Sequence, residues 1–163
     1  MQLPRGLCRT FGLIAIIVLT GCSSFEREWK QAASAGDSGL AGRWQGTWVS
    51  EVNGHHGKLR CIVARESEKV YQARFHATYQ AVLHFTYTVE LQAQGEGSGL
   101  QFEGEADLGI AGGVYHYVGH ADGTNFTSTY SCQSDHGTFQ MGRPVDEKKA
   151  AQSAETGPNR KQN

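Results

Sequence analysis

The chain has 163 residues, with 15 Lys or Arg against 16 Asp or Glu and a formal net charge of −1 at pH 7. Because the charges are scattered, they exclude a nucleic-acid binder and give no sign of electrostatic attachment to anionic lipid. The chain contains no P-loop and no Gly-X-Ser-X-Gly elbow, and its acids do not converge on a nucleophile, so we predict neither an enzyme nor a cofactor.

The N-terminus has the features of a secretory signal. Arg5 and Arg9 precede an unbroken apolar run over residues 11–20. About ten apolar residues are too few to span a membrane as a helix, which takes roughly 20, so we expect the segment to be cleaved. Cleavage after residue 21 removes two arginines and no acids, which changes the formal charge from −1 to −3.

The apolar run ends in Leu19-Thr20-Gly21-Cys22. All four positions match the lipobox, so this stretch resembles the processing site of bacterial lipoproteins. The resemblance implies that residues 1–21 are removed and that Cys22 carries acyl chains such as palmitate, which together form a stable membrane anchor. Ser23, in place of Asp, implies sorting to the outer membrane with the domain in the periplasm. A plain signal peptide with an incidental cysteine is the alternative.

The mature chain is predicted to contain one domain between two polar segments. Residues 22–40 are small and polar and predict a tether, in which residues 26–33 can form a short helix. Residues 146–163 carry no hydrophobic side chain larger than Ala and predict a disordered tail. The domain therefore covers residues 41–145.

Within this domain, apolar and polar residues alternate in eight short runs separated by Gly, Asn, Asp and Ser. A period of two predicts strands with one buried face, and short turns such as Asn53-Gly54 predict sequential antiparallel pairing. Eight such strands close most simply into an all-β, up-and-down barrel; a two-sheet sandwich is the alternative. Either set of alternating residues in the run 114–121 can face inward.

The two ends of the domain carry a further pattern. The first run opens with Gly42-Arg43-Trp44, and Arg143 ends the last run. These positions resemble calycins, the lipocalin, fatty-acid-binding and avidin-like barrels, in which an arginine near the end of the last strand packs across the tryptophan of Gly-X-Trp. The resemblance implies that Trp44 and Arg143 close the barrel, with Trp48 as the alternative partner, and it points to no one named calycin family.

Two cysteines remain once Cys8 leaves with the signal and Cys22 is acylated. Cys61 and Cys132 lie on the second and seventh predicted strands, toward the same end of the barrel. In an oxidising envelope such a pair usually forms a disulfide, and closing a loop of about 70 residues contributes roughly 4 kcal/mol. We therefore predict a disulfide, with two buried, inert thiols as the alternative.

Most histidines fall in loops at one end of the predicted barrel. His55 and His56 lie in the first of these loops, and Asp135 and His136 lie in the last. Imidazoles beside a carboxylate suit zinc, copper or nickel, but the same residues are ordinary turn chemistry. They are weak candidates, and no metal is predicted.

Two more histidines flank the loop after the third strand. A three-residue loop would pair His76 directly with His84 across the strands, and both would point to solvent. Since the first strand starts at the tether, the end of the barrel at which that strand begins is expected near the membrane. The histidine-bearing loops lie at the other end and are expected to face away from the membrane.

The predicted interior is aromatic and apolar, which suits a small hydrophobic molecule, although the side chains could also fill the barrel completely. The predicted ligand-binding residues are Trp44, Tyr71, Phe75, Phe85, Tyr87, Phe102 and Tyr130.

The sequence therefore predicts a membrane-anchored lipoprotein that binds a small hydrophobic ligand. One alternative is an envelope protein-interaction or inhibitor module, since similar barrels are used as periplasmic enzyme inhibitors. The other is metal binding by the rim histidines.

Overall fold

The computed structural model describes residues 17–95, 99–109 and 112–145, with side chains from residue 24 onward. Most of the predicted signal peptide, the side chain of Cys22 and the predicted tail at 146–163 lie outside the described residues.

In the described residues, one helix precedes eight strands. The alternation of apolar and polar residues predicts the eight strands. The helix is α1 (Ile17–Ala35). The strands are β1 (Gly42–Ser50), β2 (His56–Arg65), β3 (Val70–Tyr79), β4 (Leu83–Gln94), β5 (Leu100–Asp107), β6 (Val114–Ala121), β7 (Asn125–Ser131) and β8 (His136–Gly142).

The strands form a closed, up-and-down antiparallel barrel, in the order β1 to β8. Each strand pairs with the next, and β8 returns to β1 from Gln45↔Gly142 to Ser50↔Gly137. The predicted barrel is therefore confirmed, and the sandwich is wrong. We call the end that carries the β1–β2, β3–β4, β5–β6 and β7–β8 connections the upper end, and the opposite end the lower end.

The burial of its side chains shows which face of β6 points inward, a choice that the sequence leaves open. Tyr117 is 2% exposed and Val118 is 60% exposed, so Tyr117 and its alternate neighbours Tyr115 and Gly119 face inward. Gly119 is needed on this face, because a side chain there would collide with the ring of Phe102.

The lower half of the interior is tightly packed with aromatic rings. Trp44 and Phe126 are fully buried, and their ring centroids lie 5.6 Å apart. Phe126 also contacts Phe102, with 4.7 Å between ring centroids. The indole Nε1 of Trp44 donates a hydrogen bond to the carbonyl of Leu40 at 2.9 Å, which satisfies its one polar atom.

Arg143 covers this packed half at the place where the first and last strands of the barrel meet. Its guanidinium carbon lies 3.5 Å from the centroid of the Trp44 ring. The same guanidinium donates hydrogen bonds to the carbonyls of Arg43, at 3.1 Å, and Gly39. A cation over an indole face and its bonds to carbonyls from the start of β1 together hold the last strand to the first.

In the described part of the chain, the upper part of β4 pairs with a strand on one side only. β4 pairs with β3 from Tyr79↔Leu83 to Val70↔Gln92. Among the pairs that the structure describes, β4 meets β5 only from Glu90↔Glu105 to Gln94↔Gln101. Within residues 99–109 and 112–121, no residue pairs with residues 83–89 on the β5 side, so the described strands leave an edge there, although complete closure would leave none.

Helix α1 lies against the outside of the barrel, where a tether is predicted. Phe25 is fully buried, and Trp29, one turn later on the same face, contacts the guanidinium groups of Arg43 and Arg60. Arg74 forms an ion pair with Glu28 at 2.7 Å. Two large rings spaced four residues apart thus give an otherwise polar segment a face that packs on the strands. No helix in the described part of the chain is long and apolar enough to cross a membrane.

His76 is buried beneath this helix, so the prediction that it points to solvent is wrong. Phe25 stacks on the imidazole at 4.8 Å, and His76 is 5% exposed. Its direct cross-strand partner is Thr86 rather than His84, because the turn lies one residue later than the predicted loop requires. The two imidazoles nevertheless stack diagonally, with 5.3 Å between their centroids. Burial lowers the pKa of His76, and nearby Arg60 and His84 lower it further.

Candidate ligand-binding site

A cavity of about 250 Å³ lies inside the upper end of the barrel. Rings and aliphatic side chains form most of its wall. The lining residues are Trp48, His55, Leu59, Ala77, Tyr79, Phe85, Tyr87, Leu108, Tyr115, Tyr117, Tyr130, Asp135 and Phe139.

The apolar wall begins at the β3–β4 hairpin. Phe85 faces the cavity from the upper part of β4, yet it is 50% exposed because no β5 residue pairs beside it. Tyr79 lies next to Trp48 and His55, at ring-centroid distances of 6.1 and 4.9 Å. The Trp48 indole donates a hydrogen bond to the carbonyl of Thr78 at 3.3 Å, which orients its ring. The opening is therefore framed by rings in positions set by the sheet.

Tyrosine hydroxyls provide the polar part of the cavity. The rings of Tyr87 and Tyr117 both stack on Phe75, at 5.3 and 6.2 Å, and their own centroids lie 6.4 Å apart. Burial raises the pKa of both phenols well above the ordinary value of 10.0. Burial also raises the pKa of Tyr115 to about 12. These phenols stay protonated at neutral pH, so each one offers a hydrogen-bond donor.

Asp135 holds two side chains in place at the upper edge of the cavity. Its carboxylate accepts a hydrogen bond from Ser50 Oγ at 2.6 Å and one from the Tyr130 hydroxyl at 3.2 Å. Burial raises the pKa of Tyr130, and the neighbouring carboxylate raises it further. Asp135 therefore connects the β7–β8 turn to β1 and fixes the position of one tyrosine in the wall.

Three of the seven predicted ligand-binding residues line this cavity. Phe85, Tyr87 and Tyr130 face it. The other four lie in the buried core outside the cavity lining: Trp44, Tyr71, Phe75 and Phe102. The alternation of residues identifies the inward face of every strand except β6, but it does not predict at what height along the barrel the rings stop filling the interior.

The cavity is also lined by residues that were not among the predicted ligand-binding residues. Trp48, Tyr79 and Tyr115 lie within three residues of an upper connection, as do Phe85 and Tyr130. Inward residues close to the connections at one end were therefore the available signal. To use this signal, one must know where each strand ends, and the sequence pattern does not define the strand ends accurately enough.

The predicted disulfide is not present, and both cysteines are free thiols. Cys61 lies within β2, between Trp44 and Phe75 in the register, whereas Cys132 follows β7 in the upper turn. Burial raises the pKa of the Cys61 thiol well above 9.0. Burial alone would also raise the pKa of Cys132, but hydrogen bonds with Ser134 and Tyr115 outweigh it and lower the pKa.

The weak metal candidates do not converge. His56 Nδ1 lies 3.1 Å from the carbonyl of Gly54 in its own turn, and His136 lies 3.9 Å from Glu51. His55 packs on Tyr79, and the carboxylate of Asp135 already accepts two hydrogen bonds. Within residues 17–95, 99–109 and 112–145, no group of three or more His, Cys, Asp or Glu side chains is placed to hold a metal ion.

A larger hollow of about 620 Å³ runs along the outer face from β4 to β8. Glutamine and threonine side chains dominate its lining, including Gln92, Gln101, Thr127 and Gln140. It is more open than the upper cavity, and its lining is more polar than the lining of the upper cavity. The upper cavity is smaller, but it combines enclosing rings with few polar groups, which is the usual character of a small-molecule site.

Comparison of the chain with protein families, curated proteins and solved structures found no match.

Proposed function

We propose that this protein is a bacterial lipoprotein, anchored to the outer membrane through acylated Cys22, whose periplasmic barrel binds a small hydrophobic ligand. The observation that carries the proposal is the upper cavity, where aromatic rings from six strands surround a few tyrosine hydroxyls. The ligand then has an apolar body and at least one group that accepts a hydrogen bond.

The size of the cavity limits the ligand. Its volume of about 250 Å³ is slightly below the usual range for drug-sized sites, which begins at roughly 300 Å³. One water molecule occupies about 30 Å³ in the liquid, so the space corresponds to roughly eight waters. A compact molecule of one or two rings fits this volume better than a long acyl chain does.

The arrangement of Arg143 across Trp44 supports the calycin-like part of the proposal. The calycin resemblance implies this contact between the last and first strands, and the guanidinium lies 3.5 Å above the indole. Calycin-like barrels hold ligands inside the barrel, which agrees with an enclosed site at one end.

Binding is tested with the neutral two-ring probe 7-dimethylamino-4-methylcoumarin, whose carbonyl accepts a hydrogen bond and whose fluorescence rises in an apolar site. The Ala77→Phe variant places a ring in the cavity, because Ala77 lines it opposite Leu59 and Phe85. The matched control is Ala64→Phe, which adds the same ring at an exposed position of β2. We expect the wild type and the control to bind the probe and Ala77→Phe to lose at least about tenfold in affinity.

Native mass spectrometry of the protein purified from its own membranes provides a second measurement. A bound small molecule that is present in the wild type and absent from Ala77→Phe supports the proposal. No probe binding and no bound molecule in the wild type would overturn it.

The anchor has a separate test. We expect the N-terminal peptide of the mature protein to begin at Cys22 and to carry the mass of its acyl chains. We also expect Cys22→Ser to leave the membrane fraction. An unmodified Cys22 in the mature protein would contradict the anchor and leave the cavity proposal intact.

A further inference from the structure

We propose that the tip of the β3–β4 hairpin, residues 79–85, docks onto the lipid surface to which the chain is anchored. The cavity would then open toward the membrane. This inference rests on the proposed anchor at Cys22, and the experiment below separates the failure of one from the failure of the other.

Exposed apolar side chains concentrate at this end of the barrel. In the described part of the chain, eight large hydrophobic residues are exposed, and six of them belong to upper connections or the strand ends beside them. The most exposed of the six is Val82, at 72%, and it is followed directly by Leu83 at 49%. Phe85, at 50%, completes the patch. A soluble domain rarely concentrates apolar side chains in this way without a surface to cover them.

The hairpin carries no formal charge that a lipid surface would have to desolvate. From Phe75 to Val89 the sequence contains no Asp, Glu, Lys or Arg, and the nearest charged neighbours are Arg74 and Glu90. Its polar residues are histidine, threonine, glutamine and tyrosine. Neutral polar side chains and aromatic rings suit the headgroup region of a bilayer, whereas charged side chains are costly below it.

The course of helix α1 brings the anchor toward this hairpin. Trp29 contacts Arg43, at the lower end of β1, and Phe25 stacks on His76, higher along β3. His76 in turn stacks on His84, which lies within the tip. The helix therefore rises along the outside of the barrel toward its own N-terminus and also contacts β4.

Cys22 lies three residues before Phe25 in this helix, which corresponds to about 4.5 Å of helical rise. The backbone of Cys22 therefore lies toward the hairpin end of the barrel. The orientation is opposite to the one that the order of the chain predicts, in which the lower end lies near the membrane. The physical reason is that residues 24–35 turn back along the barrel instead of extending away from it.

Depth-dependent quenching tests the docking. A bimane fluorophore is attached to Val82→Cys or, as the matched control, to Val118→Cys, which is 60% exposed on the outer face of β6. Both variants carry Cys132→Ser, so that the remaining unacylated thiol, Cys61, is buried. The acylated proteins are reconstituted into phosphatidylethanolamine–phosphatidylglycerol vesicles that contain 5-doxyl phosphatidylcholine.

We expect the doxyl lipid to quench the fluorophore at position 82 several-fold more strongly than the fluorophore at position 118. Equal quenching at the two positions, with acyl chains present on Cys22, would overturn the docking and leave the anchor standing. A second copy of the chain on the tip would protect position 82 from the lipid quencher and crosslink through it, which also overturns the docking. An unacylated Cys22 would overturn the anchor and the docking together.

Discussion

The lower and upper halves of the barrel are built from the same alternating strands but differ in how completely they are filled and paired. In the lower half, Trp44 and Phe126 are fully buried, and Arg143 covers them. In the upper half, tyrosines surround a cavity of about 250 Å³, and among the described strands residues 83–89 pair with β3 only. We therefore expect the lower half to supply most of the stability, whereas the upper half contains the cavity.

This difference shows how a small barrel can hold both a core and a site. A fully packed interior of this size leaves no room for a ligand, whereas an empty interior would bury too little apolar surface to fold. Placing the largest rings at one end resolves this conflict. Cavities commonly cost stability in the region where they lie, and here the cavity lies at the end of the barrel opposite to Trp44 and Arg143.

The sharpest test compares one truncation from each half. We expect Phe126→Ala to lower the free energy of unfolding by about 3–5 kcal/mol, because it leaves a cavity among fully packed rings. We expect Phe85→Ala to lower it by at most about 1 kcal/mol, because half of that side chain is already exposed. Urea denaturation measures both values. Equal losses would show that the two halves contribute equally to stability.

The next largest effect is expected at Arg143. Replacement by Ala removes the cation above Trp44 and the hydrogen bonds to the carbonyls of Arg43 and Gly39, at a cost of about 2–3 kcal/mol. Arg143→Lys keeps the charge but loses the planar fork, so we expect an intermediate loss. Thermal unfolding of the three proteins measures the order. A Lys variant as stable as the wild type would reduce the role of Arg143 to its charge.

Acid is expected to weaken the lower end through Asp122, in the β6–β7 turn. The Asn125 side chain and the backbone N–H groups of Thr124 and Asn125 donate to this carboxylate and hold its pKa far below 3.8. Because the folded pKa is depressed, the stabilisation is present above pH 3.8 and is lost as the pH falls below it. Asp122→Asn should therefore be less stable than wild type at about pH 5, and the difference should shrink at about pH 2.5. A constant difference would exclude this carboxylate as the cause.

The smallest effect is expected from His76, beside the upper half. Burial, Arg60 and His84 lower its pKa, while Glu26 opposes the shift. The unfolded state therefore takes up a proton first, and stability falls as the pH drops below 6.5. His76→Gln should flatten this dependence in pH-resolved denaturation.

The matched control for His76 is His120→Gln, since His120 lies exposed on the outer face of β6. That variant should keep the pH dependence of the wild type. Equal pH dependence in the wild type and His76→Gln would contradict the assignment to His76.

The barrel could be predicted from the sequence because its signals are local. The two-residue alternation marks each strand, and the short turns allow only neighbours in sequence to pair. Strand count, direction and order are confirmed for this reason. The inward face of β6 could not be chosen, since both of its faces carry valines, tyrosines or histidines, and only the space left by Phe102 requires Gly119 to face inward.

The site was only partly predictable because it depends on non-local geometry. The height at which the rings stop filling the barrel depends on where β4 parts from β5, and no residue near Glu90 signals that point. The docking of α1 depends on Phe25 and Trp29 meeting the outer faces of strands much later in the chain. The free thiols have the same origin, since Cys61 and Cys132 share a predicted end of the barrel but lie at different heights in the structure.

We expect closure of the barrel to be a late event in folding. The pairing of β1 with β8 joins Gln45 to Gly142, nearly the whole length of the domain, so the ring of strands cannot close until the last strand is available. Contacts between such distant residues carry the largest loop-closure cost and slow the search for the native state. A chain synthesised from its N-terminus can therefore complete its barrel only once residues 137–142 are available to pair with β1.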